Sequence, residues 1–143
     1  MWNGSTWTQR TAGTFFSPAV SCGSATACTL VGRNSQGGAA IERWDGTSWT
    51  AQQPAPVASA QFASVSCASA TACTLVGSSQ AGSGSSVPLV ESWTGGTWTA
   101  VPVRHVPDGI LNSVSCTTPT VCTAVGQQVL ASGGQNPLAV GSG

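Results

Sequence analysis

One thirteen-residue pattern, Val-Ser-Cys-x5-Cys-Thr-x-Val-Gly, occurs three times in the chain, at Val20–Gly32, Val65–Gly77 and Val114–Gly126. A second pattern, Trp-x4-Trp, also occurs three times, so all six tryptophans and all six cysteines belong to repeats. The first cysteines of successive repeats lie 45 and 49 residues apart. Periods of this length are typical of arrays of one supersecondary unit. The sequence therefore predicts three similar units stacked along the chain.

The residues of each repeat favour strands over helices. Valine, threonine and tryptophan dominate the periodic segments, and Gly and Ser interrupt them about every ten residues, which leaves no apolar stripe of helical period. A repeat of this length is typical of one four-stranded β-propeller blade. We therefore predict an all-β chain of blades with antiparallel strands A to D. In the middle unit these strands are predicted at 61–67, 72–77, 87–93 and 97–103.

Each cysteine pair is predicted to form a disulfide within its own blade, because its two members end strand A and begin strand B of one hairpin. A zinc site would need closer cysteine spacing or more histidines than the single His105, so no metal site is predicted. Free buried thiols are the remaining alternative. Disulfides imply an oxidising compartment and hence an extracellular, secreted origin. The predicted bonds are Cys22–Cys28, Cys67–Cys73 and Cys116–Cys122.

Each tryptophan pair brackets a predicted turn between strands C and D. Gly4, Gly46 and Gly95 can open a two-residue type II′ turn, which would place the two tryptophans directly opposite each other. A type I′ turn would shift this register by one residue. We expect the tryptophans to pack structurally, with sugar stacking as the alternative. They are Trp2, Trp7, Trp44, Trp49, Trp93 and Trp98.

The segment Trp44-Asp-Gly-Thr-Ser-Trp49-Thr, together with Val-Ser-Cys and Ala-Cys-Thr, resembles the Trp- and Cys-rich β-propeller repeats of secreted bacterial proteins. The resemblance covers nearly the whole chain. A looser likeness to Asp-box and kelch-like blades is incomplete, because Gly46 follows Asp45 immediately. The chain also has no tyrosine, which a sialidase uses as its nucleophile. The resemblance therefore implies a scaffold and no sialidase activity.

The repeats are shifted circularly relative to whole blades. Residues 1–8 read as a strand D, and the last unit reads as strands A to C. We therefore divide the chain into strand D at 1–8, a first blade at 9–50, a second at 51–103 and a third at 104–143.

Propeller rings contain about four to eight blades, so the three blades of one chain are too few to close a ring. We expect a homodimer with six blades, or alternatively a homotrimer with nine. Residues 1–8 are expected to complete the third blade of a neighbouring copy, with closure within one chain as the alternative. The ends also resemble those of an excised or engineered fragment.

The composition excludes several classes of partner. Four basic and four acidic residues give zero net charge, so neither nucleic acid nor a membrane surface is an expected partner. Residues Arg33, Arg104, His105 and Asp108 are expected on the loop face where propellers bind ligands, although a solvated loop is the simpler interpretation of His105. They are the candidate ligand-binding residues.

No catalytic residue or cofactor is predicted. Serines are too numerous to define a triad, and the repeated Glu42 and Glu91 suggest structural hydrogen bonds near the tryptophan hairpins. The preferred function is a non-catalytic scaffold that self-associates into a closed ring. A carbohydrate-binding propeller with glycans as partners is the alternative, which a glycan array would distinguish, and an enzyme fragment is the third.

Overall fold

The computed structural model describes residues 1, 5–82 and 84–142, and within them the chain forms eleven β-strands and no helix. The all-β prediction is therefore confirmed. The predicted positions Trp2 and Gly4 lie outside the described residues. Met1 and Thr8 pair with each other, because the Thr8 N–H donates to the Met1 carbonyl over 2.8 Å and the Met1 amino group donates back over 2.6 Å.

The strands form three antiparallel sheets, which we call sheets I, II and III in chain order. Sheet I contains β1 (Phe16–Ser24), β2 (Ala27–Arg33), β3 (Ala39–Trp44) and β4 (Trp49–Gln52). Sheet II contains β5 (Gln61–Ser69), β6 (Ala72–Gln80), β7 (Ser86–Trp93) and β8 (Trp98–Ala100). Sheet III contains β9 (Gly109–Thr118), β10 (Val121–Val129) and β11 (Gln135–Ser142). Each sheet is a meander in which consecutive strands are neighbours.

The predicted strand D of the middle unit is too long. It was expected at 97–103, but β8 ends at Ala100. Pro102 lacks the N–H that would continue the strand pairing, and its ring restricts the backbone of the preceding residue. The other three strands of this unit begin within one residue of their predicted positions.

The glycine of the Val-Gly motif is required by a close approach between strands A and B. The β5–β6 register shifts between Phe62 and Ser64, opposite Gly77. A side chain at Gly77 would overlap the carbonyl oxygen of Gln61, and one at Gly126 would overlap that of Ile110. The motif therefore permits a β-bulge at the same place in both sheets.

Sheet II packs between the other two sheets and separates two apolar cores. In the first core, Val31 and Ile41 of sheet I meet Val65 and Leu75 of sheet II. In the second core, side chains from the opposite face of sheet II meet those of sheet III; its buried residues are Val76, Val90, Leu111, Val114, Cys122 and Ala124. Sheet II therefore presents one face to sheet I and the other to sheet III.

All three predicted disulfides are present, namely Cys22–Cys28, Cys67–Cys73 and Cys116–Cys122. Each joins directly opposed residues of the first two strands in its sheet. Three such bonds indicate an oxidising environment, as found outside the cell.

Candidate functional site

The Arg43 side chain lies between sheets I and II, beside their apolar core. The Arg43 guanidinium donates to Thr29 Oγ1 and to the Ala70 carbonyl oxygen, each over 2.8 Å. Its central carbon also lies 4.8 Å from the centre of the Trp93 ring, which adds a cation–π contact. Partial burial lowers the pKa of Arg43 from its ordinary value. Arg43 therefore links sheet I to both the disulfide turn and the tryptophan hairpin of sheet II.

The tryptophan hairpins have the predicted register. Trp44 lies opposite Trp49, and Trp93 lies opposite Trp98, with ring centres 5.7 and 5.6 Å apart. Gly46 has a positive φ of 101°, as the first central residue of a type II′ turn requires. Trp44, Trp93 and Trp98 are only 5%, 8% and 4% exposed. Their rings are packed against protein, which supports the structural interpretation of these three residues.

The corresponding space between sheets II and III is a cleft of about 550 Å³, which we call the II–III cleft. It is lined by residues of β6, β7, β9, β10 and β11 and by the 101–104 linker. The residues that line it include Thr74, Ser92, Arg104, Cys122, Val140 and Ser142.

The cleft exists because sheet III lacks the groups that fill the first interface. Ser142 pairs with Cys122 as Trp93 pairs with Cys73, so a serine occupies the place of a tryptophan. On the other wall Ser92 occupies the place of Arg43. The counterpart of Trp98 would lie on a fourth strand, and sheet III has three strands within the described residues. The II–III cleft is therefore the space that a tryptophan hairpin occupies in the preceding interface.

The two outer faces of the array expose residues that are buried inside it. Val31 and Val76 are completely buried, but their equivalent in sheet III, Val125, is 48% exposed. Because side chains alternate along a strand, Val121 and Val129 lie on the same side of β10 as Val125. Both are also exposed. We call this surface, with Val121, Val125 and Val129 at its centre, the sheet III end face.

Sheet I exposes the complementary surface. Val65 and Val114 are 6% and 8% exposed where they face a preceding sheet, whereas their equivalent Val20 is 60% exposed. We call this surface, centred on Val20 and including Cys22, the sheet I end face. The same apolar residue is thus buried in two interfaces and left in solvent at the end of the array.

The four candidate ligand residues lie at the end of β2 and in the linker between β8 and β9. Arg33 lines a depression formed with β5, β6 and β9, whereas Arg104 lines the II–III cleft. His105 is exposed in the linker that leads to β9. Asp108 has a positive φ of 54° in the turn before Gly109, and its carbonyl accepts from the Val129 N–H. Arg33 and Arg104 therefore line different depressions, and ligand binding by these residues stays a prediction.

Glu42 and Glu91 form the predicted structural hydrogen bonds, and their partners lie in the segments that precede sheets I and II. Both oxygens of Glu42 accept from the Gly13 N–H, at 3.2 and 3.1 Å. Glu91 Oε2 accepts from the Ala55 N–H over 3.0 Å. Each carboxylate therefore holds the segment that enters its own sheet. Val140 occupies the equivalent place in sheet III, inside the II–III cleft.

The burial of Glu91 has a consequence for stability. Its side chain is fully buried, and desolvation raises its pKa above the ordinary value of 4.5, partly offset by the Ala55 hydrogen bond. The folded state therefore holds the proton more tightly than the unfolded state does. The stability contributed by this proton is complete below about pH 4.5 and is lost as the pH rises through the folded pKa.

We expect the Glu91→Gln variant to lack this pH dependence, because glutamine keeps an acceptor for Ala55 but does not titrate. Urea unfolding at a series of pH values above 4.5 measures it. The wild-type free energy of unfolding should fall, at no more than about 1.4 kcal/mol per pH unit, and the variant should show a flatter profile. An identical slope in both proteins would contradict this account of Glu91.

The Asp45 side chain forms hydrogen bonds within its own turn. Its carboxylate accepts from the Thr47 N–H and hydroxyl and from the Ser48 N–H, at 2.7 to 2.8 Å. Hydrogen bonds from Ser48 and then Thr47 lower its pKa to about 2. The turn therefore keeps these bonds above the ordinary pKa of 3.8 and loses them as the pH falls towards 2.

Within the described residues, no group of three or more His, Cys, Asp or Glu side chains is placed to hold a metal ion. No helix in the same part of the chain is long and apolar enough to cross a membrane.

Comparison of the chain with protein-family models, with curated proteins and with solved structures gives no match.

The sequence analysis did not identify the end faces or the II–III cleft. The signal for the end faces was available, since Val20 and Val125 occupy the first and last copies of positions that face neighbouring sheets. The signal for the cleft was the serine at position 142. The Pro-Leu motif shared by β7 and β11 aligns Ser142 with Trp93, so a small side chain replaces a tryptophan there.

Proposed function

We propose that this chain is a non-catalytic scaffold module whose three sheets are β-propeller blades and which self-associates into a closed ring. The single observation that carries the proposal is the exposure of Val20 and Val125, whose equivalents are buried between sheets. Two copies give six blades, and three give nine. The disulfides fit a secreted module that assembles outside the cell.

Burial of the end faces supplies the driving force for this association. Fully burying a valine side chain stabilises by about 1.5 to 3 kcal/mol. The sheet III end face exposes three valines along β10, and a second copy offers its sheet I end face. These two faces are equivalent to the faces that pack together in the internal interfaces. A repeated interface between unlike faces produces a ring when its rotation closes.

The II–III cleft supports a role for residues 1–8 in ring closure. In the proposed ring residues 1–8 act as the fourth strand of sheet III in a neighbouring copy, and Trp7 enters the cleft. Two features favour this. The cleft is lined mainly by apolar groups and lies at the position in sheet III that corresponds to the tryptophan hairpin of sheet II. In addition, Trp7 is 79% exposed in the single chain. A fourth strand would also pair the free edge of β11, which removes an edge prone to aggregation.

Carbohydrate binding has less support as the alternative function. Sugars stack on exposed aromatic faces, whereas Trp44, Trp93 and Trp98 are almost completely buried. Binding of glycans in an array by the intact protein would favour this alternative.

The Val125→Asp variant tests the proposed function. A carboxylate at this position must be desolvated when the sheet III end face is covered, at a cost of several kcal/mol, so association should weaken by about a hundredfold or more. Light scattering coupled to size-exclusion chromatography measures the change. Ser35→Asp places the same charge in the exposed β2–β3 turn and should leave association intact. Equal association of Val125→Asp and wild type would refute the proposal.

A further inference from the structure

A polar contact repeats at both internal interfaces beside the disulfides. The Cys67 N–H in β5 donates to Ser21 Oγ of β1 over 2.9 Å. The Cys116 N–H in β9 donates to Ser66 Oγ of β5 over 3.0 Å. In each case the serine of one Val-Ser-Cys motif accepts from the cysteine N–H of the next. The first strands of successive sheets are therefore held in one fixed register.

Two members of this series remain at the ends of the array. Ser115 occupies the position of Ser21 and Ser66, on β9 of sheet III, and it is exposed. Cys22 occupies the position of Cys67 and Cys116, on β1 of sheet I, and it is exposed as well. Sheet III thus presents the acceptor of the series, and sheet I presents the donor.

A second contact follows the same rule. The Val114 N–H donates to Ser64 Oγ over 3.4 Å between sheets II and III. Between sheets I and II the acceptor position is Ala19, which has no hydroxyl. On sheet III the position is Ser113, which is exposed, and the matching donor on sheet I is the Val20 N–H. Sheet III therefore carries the same pair of serine acceptors that sheet II uses.

We propose that the sheet III end face docks on the sheet I end face of a second copy, with Ser115 Oγ accepting from the Cys22 N–H and Ser113 Oγ from the Val20 N–H. This inference rests on the proposed function and specifies its partner surface and register. The polar pair favours contact between unlike faces, because two sheet I end faces would bring N–H donors together without an acceptor. Two sheet III end faces could pair their serine hydroxyls with each other, but they would leave the Cys22 and Val20 N–H groups of both copies without these acceptors. The apolar valines provide the buried area, and the serines provide the direction.

Mixing two variants tests whether the sheet III end face of one copy docks on the sheet I end face of another. Val20→Asp blocks the sheet I end face, and Val125→Asp blocks the sheet III end face. Both valines are exposed in the single chain, so each variant should fold, which thermal unfolding with intact disulfides checks. Each variant alone should be monomeric in sedimentation velocity. An equimolar mixture should form a one-to-one heterodimer through the two intact faces.

The register is tested in the same heterodimer, where one interface is measured alone. Ser115→Ala, added to Val20→Asp, should raise the dissociation constant about tenfold, because docking would bury the Cys22 N–H without its partner. Ser132→Ala in the exposed β10–β11 turn is the matched control and should leave the constant unchanged.

The possible results separate this inference from the proposed function. A wild-type protein that stays monomeric contradicts the proposed function itself. An oligomeric wild type whose single variants each form homodimers, or whose variants do not combine when mixed, overturns the proposed direction while self-association stands. A Ser115→Ala effect below about twofold overturns the proposed register.

Discussion

Replacing Trp98 with alanine is expected to lower the free energy of unfolding by about 3 to 5 kcal/mol. The Trp98 ring is 4% exposed and packs within the core between sheets I and II, beside Trp93. Alanine would leave a cavity in an interface that also holds Arg43. Urea unfolding followed by tryptophan fluorescence, with disulfides intact, measures the loss. The Val125→Asp background keeps association from contributing to the measured stability.

Trp98→Phe is the matched control. Phenylalanine keeps much of the apolar volume and removes the Nε1 group, which is buried without a hydrogen-bond partner among the described residues. Its loss of stability should therefore be well below that of Trp98→Ala. Unchanged stability of Trp98→Ala together with loss of sugar binding would contradict the structural role and favour the carbohydrate-binding alternative.

Deleting residues 1–8 is expected to abolish the defined oligomer and promote aggregation. Without this segment the II–III cleft and the free edge of β11 stay uncovered in every copy, and an uncovered edge strand pairs unspecifically. Size-exclusion chromatography with light scattering measures both effects. Replacing residues 1–8 with glycine and serine should have the same result, because it preserves length but removes the tryptophans.

Addition of a peptide with the sequence of residues 1–8 should restore a defined species to the truncated protein. A truncated chain that forms the same stable, monodisperse assembly as the full chain would contradict a role for this segment in closure.

The repeats made much of the local structure predictable. The spacing of Cys67 and Cys73 specifies a hairpin that opposes the two cysteines, and Gly95 fixes the turn that opposes Trp93 and Trp98. These features depend on residues close in sequence, where turn geometry determines the pairing. The predicted end of β8 was wrong because the strand-like sequence continues past Ala100, although Pro102 prevents further strand pairing.

The contacts between sheets were harder to predict. The Arg43 contact with Trp93 and the Ser21 contact with Cys67 join different repeats, so their geometry depends on how two sheets stack. Sequence equivalence shows that these positions correspond, but it does not show which face of a sheet they occupy. Once the first interface is known, the Ser66–Cys116 contact follows from the repeat. The ends of the array can then be interpreted by the same rule.

Self-association is the central property of the proposed scaffold, and native mass spectrometry of the full chain with intact disulfides measures it. We predict a closed dimer at twice the chain mass of 14.2 kDa, with a trimer as the alternative ring. A single closed species should persist across a wide range of protein concentration. A stable monomer, or an open series of masses that grows with concentration, would contradict ring formation.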